Sequence, residues 1–264
     1  MTSTLDELRK YSSIAIDSAD LSKYGKIPVE HATTNPSLIA DVSKGNYLEH
    51  AISCCREILK RVPGQVSIQL DPRLSFDVEG SITQAEKILN SLANERLLIK
   101  IPGTWEGIMA TQQLERKGIR CNVTIIVSVT QALAAAEAGA SCIAAYVGRV
   151  SNWYKQEDKG VELVTSIHNT LKSYGFPTKI MAASFQSLKQ ITQLCGLDIF
   201  TLKPELLHEL ATASLPASKI LGTPPSTPKP SPTSEKAFRW QLCNDSCASY
   251  LIDEAIRKFA NAIM

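Results

Sequence analysis

The sequence predicts a single (β/α)8 barrel with a C-terminal helical extension. Eight short β-branched or apolar runs recur along the 264 residues, most followed by a longer run with helical spacing. That alternation reads as parallel βαβ units with right-handed crossovers. The length suits one barrel, a unit of roughly 250 residues. The competing open doubly wound sheet usually opens with a Gly-rich phosphate turn, and Ser18-Ala19-Asp20 after the first run cannot make one.

The strands are expected at 13–17, 27–33, 65–71, 97–101, 120–127, 141–147, 178–183 and 199–202. Helical patterns fill the intervals. In 47–61 the apolar positions are Leu48, Ile52, Cys55, Ile58 and Leu59. The next, 78–94, follows Asp77, whose carboxylate suits an N-cap. The segments 105–117, 128–138, 160–174, 187–194 and 204–212 complete the series. Pro, Ser and Thr then dominate 222–234, which reads as an extended, solvated connection, before helical patterns at 235–241 and 248–263. The expected organisation is a barrel over 1–222, a Pro-rich loop over 223–234, and C-terminal helices over 235–264 packing on the barrel.

Composition excludes several function classes. A net charge of +2 gives no electrostatic case for nucleic acid or an anionic membrane. No apolar run approaches the roughly 20 residues of a membrane helix. The N-terminal stretch is polar and mixed in charge, unlike a secretory signal. Seven scattered cysteines read as reduced thiols of a cytoplasmic protein. Cys243 and Cys247, four apart, read as one helix face without further ligands for a metal. His31, His50, His168 and His208 show neither metal spacing nor triad partners. No metal and no organic cofactor is expected.

Barrel strands are covered on both faces and should be apolar, so polar residues at their C-terminal ends mark the site. Asp17 ends the first strand, Thr33, Thr34 and Asn35 the second, Gln69 and Asp71 the third. Lys100 interrupts Leu97-Leu98-Ile99-Lys100-Ile101 in the fourth; Asn122 and Thr124 lie on the fifth. Tyr146 and Arg149 end the sixth, Ser184 and Gln186 the seventh, and Lys203 the eighth. A lysine buried among aliphatic side chains loses several kcal/mol of solvation unless paired or neutralised. Neutralised, it is an amine able to attack a carbonyl; paired, it is a structural cation with Asp17 as the obvious partner. Pattern alone leaves both readings open.

At these residues the sequence resembles the transaldolase family along nearly its whole length. The stretches that carry the resemblance are Ala32-Thr33-Thr34-Asn35-Pro36-Ser37-Leu38-Ile39, Asp71-Pro72-Arg73-Leu74-Ser75, Leu98-Ile99-Lys100-Ile101-Pro102-Gly103-Thr104, Cys121-Asn122-Val123-Thr124, Tyr146-Val147-Gly148-Arg149, Ala183-Ser184-Phe185 and Ile256-Arg257-Lys258-Phe259-Ala260. The resemblance implies that Lys100 forms a Schiff base with a ketone donor and that Asp17 moves the proton. It implies that Thr33, Asn35 and Asn122 line the donor site and hold its hydroxyls. Thr124 would position a water, while Arg149 and Ser184 would face the acceptor's phosphate. Family members are often dimers, so a homodimer is an expectation from the resemblance alone.

The departures from the family pattern are informative. A glutamate is replaced by Gln69, which cannot exchange a proton at neutral pH. A phenylalanine is replaced by Tyr146. Both changes are similar to the fructose-6-phosphate aldolase branch, which makes or breaks the aldol bond and releases the donor. An arginine of the phosphate site is replaced by Gln186, and a small residue at the rim by Lys203. A serine of the sixth strand is Ala144. Losing a guanidinium removes a charge-assisted contact of about 1.5–3 kcal/mol. The segment after Trp153 and the C-terminal stretch are also shorter than usual.

The leading expectation is therefore a class I aldolase working on a small carbonyl or sugar substrate, with weakened preference for sugar phosphates. In it Gln69, Tyr146 and Thr124 manage water. The alternatives are an ordinary transaldolase of the pentose phosphate route, a tailoring enzyme of a specialised pathway, and a non-catalytic paralogue acting as a binder.

Overall fold

The computed structural model describes residues 2–42 and 44–264. Its centre is a closed barrel of eight parallel strands in sequence order. They are β1 (Ser13–Asp17), β2 (His31–Thr33), β3 (Val66–Gln69), β4 (Leu97–Pro102), β5 (Cys121–Ile126), β6 (Cys142–Tyr146), β7 (Lys179–Ala183) and β8 (Ile199–Leu202). Closure is made by β1 against β8, with Ala15 opposite Thr201.

Period-two alternation sorts the strand residues into two cores. Ile14, Ile68, Ile99, Val123, Ile143, Ile180 and Phe200 point outward into the layer beneath the helices. Ala15, Leu98, Cys142, Ala144, Met181 and Ile199 point inward and plug the barrel. One step further along the strands the inward residues are Asp17, Lys100, Tyr146 and Thr201, with the apolar Ala183 as the exception on β7. The interior is thus an apolar plug beneath a polar layer.

The surrounding helices are α1 (Thr4–Arg9), α2 (Pro36–Val42), α3 (Tyr47–Ile58), α4 (Val78–Leu92), α5 (Trp105–Arg116), α6 (Val129–Glu137), α7 (Val147–Tyr154), α8 (Lys159–Ser173), α9 (Leu188–Thr192), α10 (Pro204–Thr212), α11 (Glu235–Asn244) and α12 (Ser246–Ala262). Side-chain caps start most of them: Asp77 receives Gly80 N–H, Thr104 receives Gly107 N–H and Ser128 receives Gln131 N–H. Trp105 opens α5 and packs its ring 5.4 Å from that of Phe238 on α11. The 222–234 stretch has no regular structure. It is pinned where Gly222 O meets His168 Nε2 at 2.8 Å, where Thr227 N–H donates to Ser173 O at 2.9 Å, and where Lys229 lies 4.2 Å from the Phe176 ring centre.

The structure corrects the sequence reading in five places. The second strand is confined to His31–Thr33, because Pro28 has no N–H to give a ladder. Three short helices escaped the periodicity. The first, α1, is closed by a Ser3–Asp6 capping box. Asn35, by accepting Leu38 N–H at 3.1 Å, starts the second, α2, with Pro36 as its first residue. The third, α7, begins directly after Tyr146, so Arg149 belongs to a helix rather than to a strand end. Cys243 and Cys247 do not share a helix face: Asp245 ends α11 and caps α12 between them. Among the described residues, no helix is long and apolar enough to cross a membrane.

Candidate active site

A cavity of about 350 Å³ opens at the C-terminal end of the barrel strands. Asp17, Lys100, Tyr146 and Thr201 line it from inside the barrel; Asn35, Arg149, Ser184 and Lys203 line it from the loops and helix starts that follow the strands. Thr33, Gln69, Asn122 and Thr124 are buried on the same inward positions. Alternation along neighbouring strands brings these side chains together: Asp17 is opposite Thr33, Gln69 opposite Lys100, and Lys100 opposite Asn122.

Lys100 is only 5 % exposed. Its Nζ donates to the Thr34 carbonyl at 3.2 Å, and no ion pair joins it to Asp17 among the described residues. Of the two readings open from pattern, the paired structural cation therefore lacks its partner. Burial pushes the amine below its ordinary value of 10.5, while the nearby Asp17 carboxylate opposes that shift. Asp17 is held by Thr33, whose Oγ1 donates to Oδ1 at 2.7 Å.

Around this pair lie polar atoms without partners. Gln69 is fully buried and neither its Oε1 nor its Nε2 has a hydrogen bond. Asn122 gives Nδ2–H to Ser67 Oγ at 3.0 Å and leaves Oδ1 unpaired. Thr124 Oγ1 is likewise unpaired. Unsatisfied buried polar atoms cost about 1–3 kcal/mol each, so four in one spot mark a place prepared for a polar guest. Burial pushes the Tyr146 phenol up, and the Arg149 cation and the Thr124 hydroxyl pull the other way. The phenol remains protonated at neutral pH. It faces Thr124 without a hydrogen bond of ordinary geometry.

The strand that carries Asn122 and Thr124 is bent. Its pairing with β6 slips between Val123 and Ile126, and Ile125 sits at φ 59°. A β-branched residue in the left-handed region costs about 1–3 kcal/mol and needs its surroundings to hold it. Gln131 does so: Nε2 donates to Ile125 O at 2.9 Å and to Gly103 O at 2.8 Å, and Oε1 receives Val127 N–H at 2.9 Å. Bulges of this kind re-aim side chains beside active sites. Gly148 answers a second constraint. Its N–H donates to Ser184 O at 2.8 Å, and any Cβ there would fall 2.2 Å from that oxygen.

Two expectations for the acceptor end are altered. Gln186 is exposed and lies outside the cavity lining; its side chain runs along Gly148 instead. Arg149 is in place but engaged. Its Nη1 donates to Glu254 Oε2 of α12 at 2.8 Å, and its guanidinium sits 5.2 Å from the Tyr146 ring centre and 6.0 Å from that of Phe259. The C-terminal helix thus forms one wall of the cavity. Sequence reasoning missed Thr201, Lys258 and Glu254. Thr201 had a readable signal, a polar residue inside Ile199-Phe200-Thr201-Leu202. Lys258 and Glu254 had none, since nothing local reveals which face of α12 meets the barrel.

Comparison with known proteins bears on the family. The family model described as Transaldolase/Fructose-6-phosphate aldolase matches residues 14–264. A protein named Transaldolase from Pseudoalteromonas atlantica is 36% identical over 98% of this chain and 96% of its own length. Transaldolase A of Pasteurella multocida is 37% identical and a Transaldolase of Mannheimia succiniciproducens 38%, with the same coverage. The first alignment runs over 303 positions, more than the 264 residues present here, so that relative carries insertions this chain lacks.

Proposed function

The chain belongs to the transaldolase/fructose-6-phosphate aldolase family, and from that premise we propose that it makes and breaks a carbon–carbon bond through a Schiff base on Lys100. The observation that carries the proposal is a buried amine held by a single carbonyl, its charge disfavoured by burial, in the wall of a cavity that Asp17 also lines. The neutral amine adds to the carbonyl carbon of a ketone donor such as a dihydroxyacetone unit, and loss of water gives an iminium. Asp17 then takes the proton of the donor's β-hydroxyl. The O–H electrons form the carbonyl of the departing aldehyde, and the electrons of the breaking C–C bond move into the iminium as an enamine. Asn35, with its Oδ1 committed to capping α2, has Nδ2 for a donor hydroxyl; Asn122 offers the unpaired Oδ1. Fixed amides of this kind supply orientation.

The enamine's fate separates release from transfer. Gln69 cannot act as a base, and Tyr146 presents a protonated phenol beside Thr124. These groups support a water held by neutral hydrogen bonds, and hence aldol cleavage or addition with release of the donor. Lys203 and Lys258 leave two cations on the wall of the mouth, but Gln186 is turned away and the Arg149 guanidinium is already paired with Glu254. This supports a weakened preference for a terminal phosphate. A second reading, donor transfer as in an ordinary transaldolase, is favoured by the names of relatives that match almost end to end.

Borohydride reduction in the presence of dihydroxyacetone, followed by peptide mass spectrometry, tests the nucleophile: the adduct is expected on Lys100, and its absence would defeat the reading. Incubation with sedoheptulose 7-phosphate and glyceraldehyde 3-phosphate tests the fate of the donor. Efficient transfer without free dihydroxyacetone would leave the transferase.

A further inference from the structure

Thr201 has no role in the chemistry described so far, yet it lines the cavity and is 4 % exposed. Its Oγ1 lies 2.6 Å from Thr33 Oγ1, which in turn lies 2.7 Å from Asp17 Oδ1. The three side chains come from β8, β2 and β1, so the two hydroxyls bracket the strand that carries the acid. Proton counting fixes the direction of this chain. A threonine hydroxyl has one proton, and an ionised carboxylate has none to give. Thr33 spends its proton on Asp17, so the proton between the two threonines must come from Thr201. The order is Thr201 to Thr33 to Asp17, with each donation polarising the next hydroxyl.

We propose that Thr201 is a positioning residue for proton transfer at Asp17, acting through Thr33 as the far end of a hydroxyl chain that reverses when the acid changes state. The proposal rests on the reading of Asp17 as proton acceptor. While Asp17 is a carboxylate, the chain donates to it and fixes its plane. When Asp17 takes the substrate's hydroxyl proton, the carboxylic acid donates to Thr33 Oγ1. Thr33 then donates to Thr201 Oγ1, and the Thr201 proton turns into the cavity, towards water or a substrate hydroxyl. No proton is gained or lost along the chain. Each hydroxyl rotates, and both settings of the acid keep every hydroxyl satisfied. A valine at 201 keeps the shape but removes the far acceptor, so the protonated state strands the Thr33 proton in a buried place.

The test separates imine formation from bond cleavage. Thr201→Val and Thr201→Ser are compared with the parent enzyme. One assay is borohydride trapping of dihydroxyacetone on Lys100; the other is single-turnover release of glyceraldehyde 3-phosphate from fructose 6-phosphate. That release is shared by transferase and aldolase, so the outcome does not depend on the enamine's fate. Thr201→Val is expected to trap at a rate within twofold of the parent. Its cleavage rate should fall about tenfold, a fraction of what a whole acid–base group supplies, with KM little changed. Thr201→Ser should recover the parent rate. Unchanged cleavage in Thr201→Val, or Thr201→Ser as slow as Thr201→Val, would overturn the proposal. Circular dichroism and melting establish that the variants fold; should the valine variant fail to fold, Thr201→Ala carries the comparison on the same criteria. A parent enzyme that traps nothing on Lys100 defeats the Schiff-base reading instead, which keeps the two failures distinguishable.

Discussion

Replacing Lys100 by methionine should abolish activity and make the protein more stable. The side chain is enclosed and its Nζ has one hydrogen bond, to Thr34 O at 3.2 Å. An under-satisfied buried donor costs about 1–3 kcal/mol, and the lost hydrogen bond returns about 0.5–1.5 kcal/mol, so the substitution should gain about 1 kcal/mol at neutral pH. Methionine has nearly the same length and leaves no large cavity. For a chain of this size, 1 kcal/mol raises the melting temperature by about 2–4 °C. The gain should depend on pH. Burial puts the folded-state pKa of Lys100 below the ordinary 10.5. Between those two values the unfolded chain binds more protons than the folded one. Wild-type stability therefore rises with pH across that window, and the penalty is complete only below the folded-state pKa. The methionine variant has no such penalty, so its advantage should be full at low pH within the stable range and shrink as pH approaches 10.5. Calorimetry of both proteins at pH 7 and pH 10, beside a cleavage assay, reads all of this. A variant that melts at or below the parent at pH 7 would refute the desolvated amine and leave Lys100 a satisfied ammonium.

Other outcomes follow from the same geometry. Asp17→Asn should still form the borohydride-trapped imine while single-turnover cleavage of fructose 6-phosphate falls at least about 100-fold, the loss typical of a general base; equal loss of trapping and cleavage would argue against its separate role. Restoring the family residues with Gln69→Glu and Tyr146→Phe together should raise the ratio of transfer product to free dihydroxyacetone about tenfold, measured by chromatography of the sugar products, and an unchanged ratio would remove those two positions from control of the enamine's fate. Lys203→Ala should raise KM for a phosphorylated acceptor about fivefold, the value of one partly solvated charge contact, while KM for glyceraldehyde stays put; an equal change for both would make Lys203 part of the wall rather than an anion contact.

The barrel was readable because its strands are short apolar runs bounded by helical periodicity, and the site because polar residues stand where such runs should be apolar. Lys100, Asp17 and Asn122 were all found this way. The short helices were not, because α1, α2 and α7 are too brief for period 3.6 to emerge. Their start signals are caps: Ser3 with Asp6, and Asn35 before Pro36. Thr201 obeyed the rule that found Lys100, but a threonine suits a strand by propensity and so did not stand out. The pairing of Arg149 with Glu254 spans 105 residues and depends on how α12 docks, which no local pattern encodes. The strained Ile125 is illegible for a related reason: isoleucine is a strand residue by every propensity, and only Gln131, 6 positions on, forces the bend.

The contact between Thr33 and Thr201 joins residues 168 positions apart, across the β1–β8 seam. Contacts of that separation are slow to form, since a long loop must close before anything rewards it. Catalytic competence should accordingly be the last property the chain acquires. A nascent polypeptide still lacking its eighth strand has Asp17 and Lys100 but no closed ring to hold them facing each other, and one lacking α12 has no wall beside Arg149. Regain of activity after dilution from denaturant would then trail the recovery of helical signal, and the lag between them would time the closing of the ring.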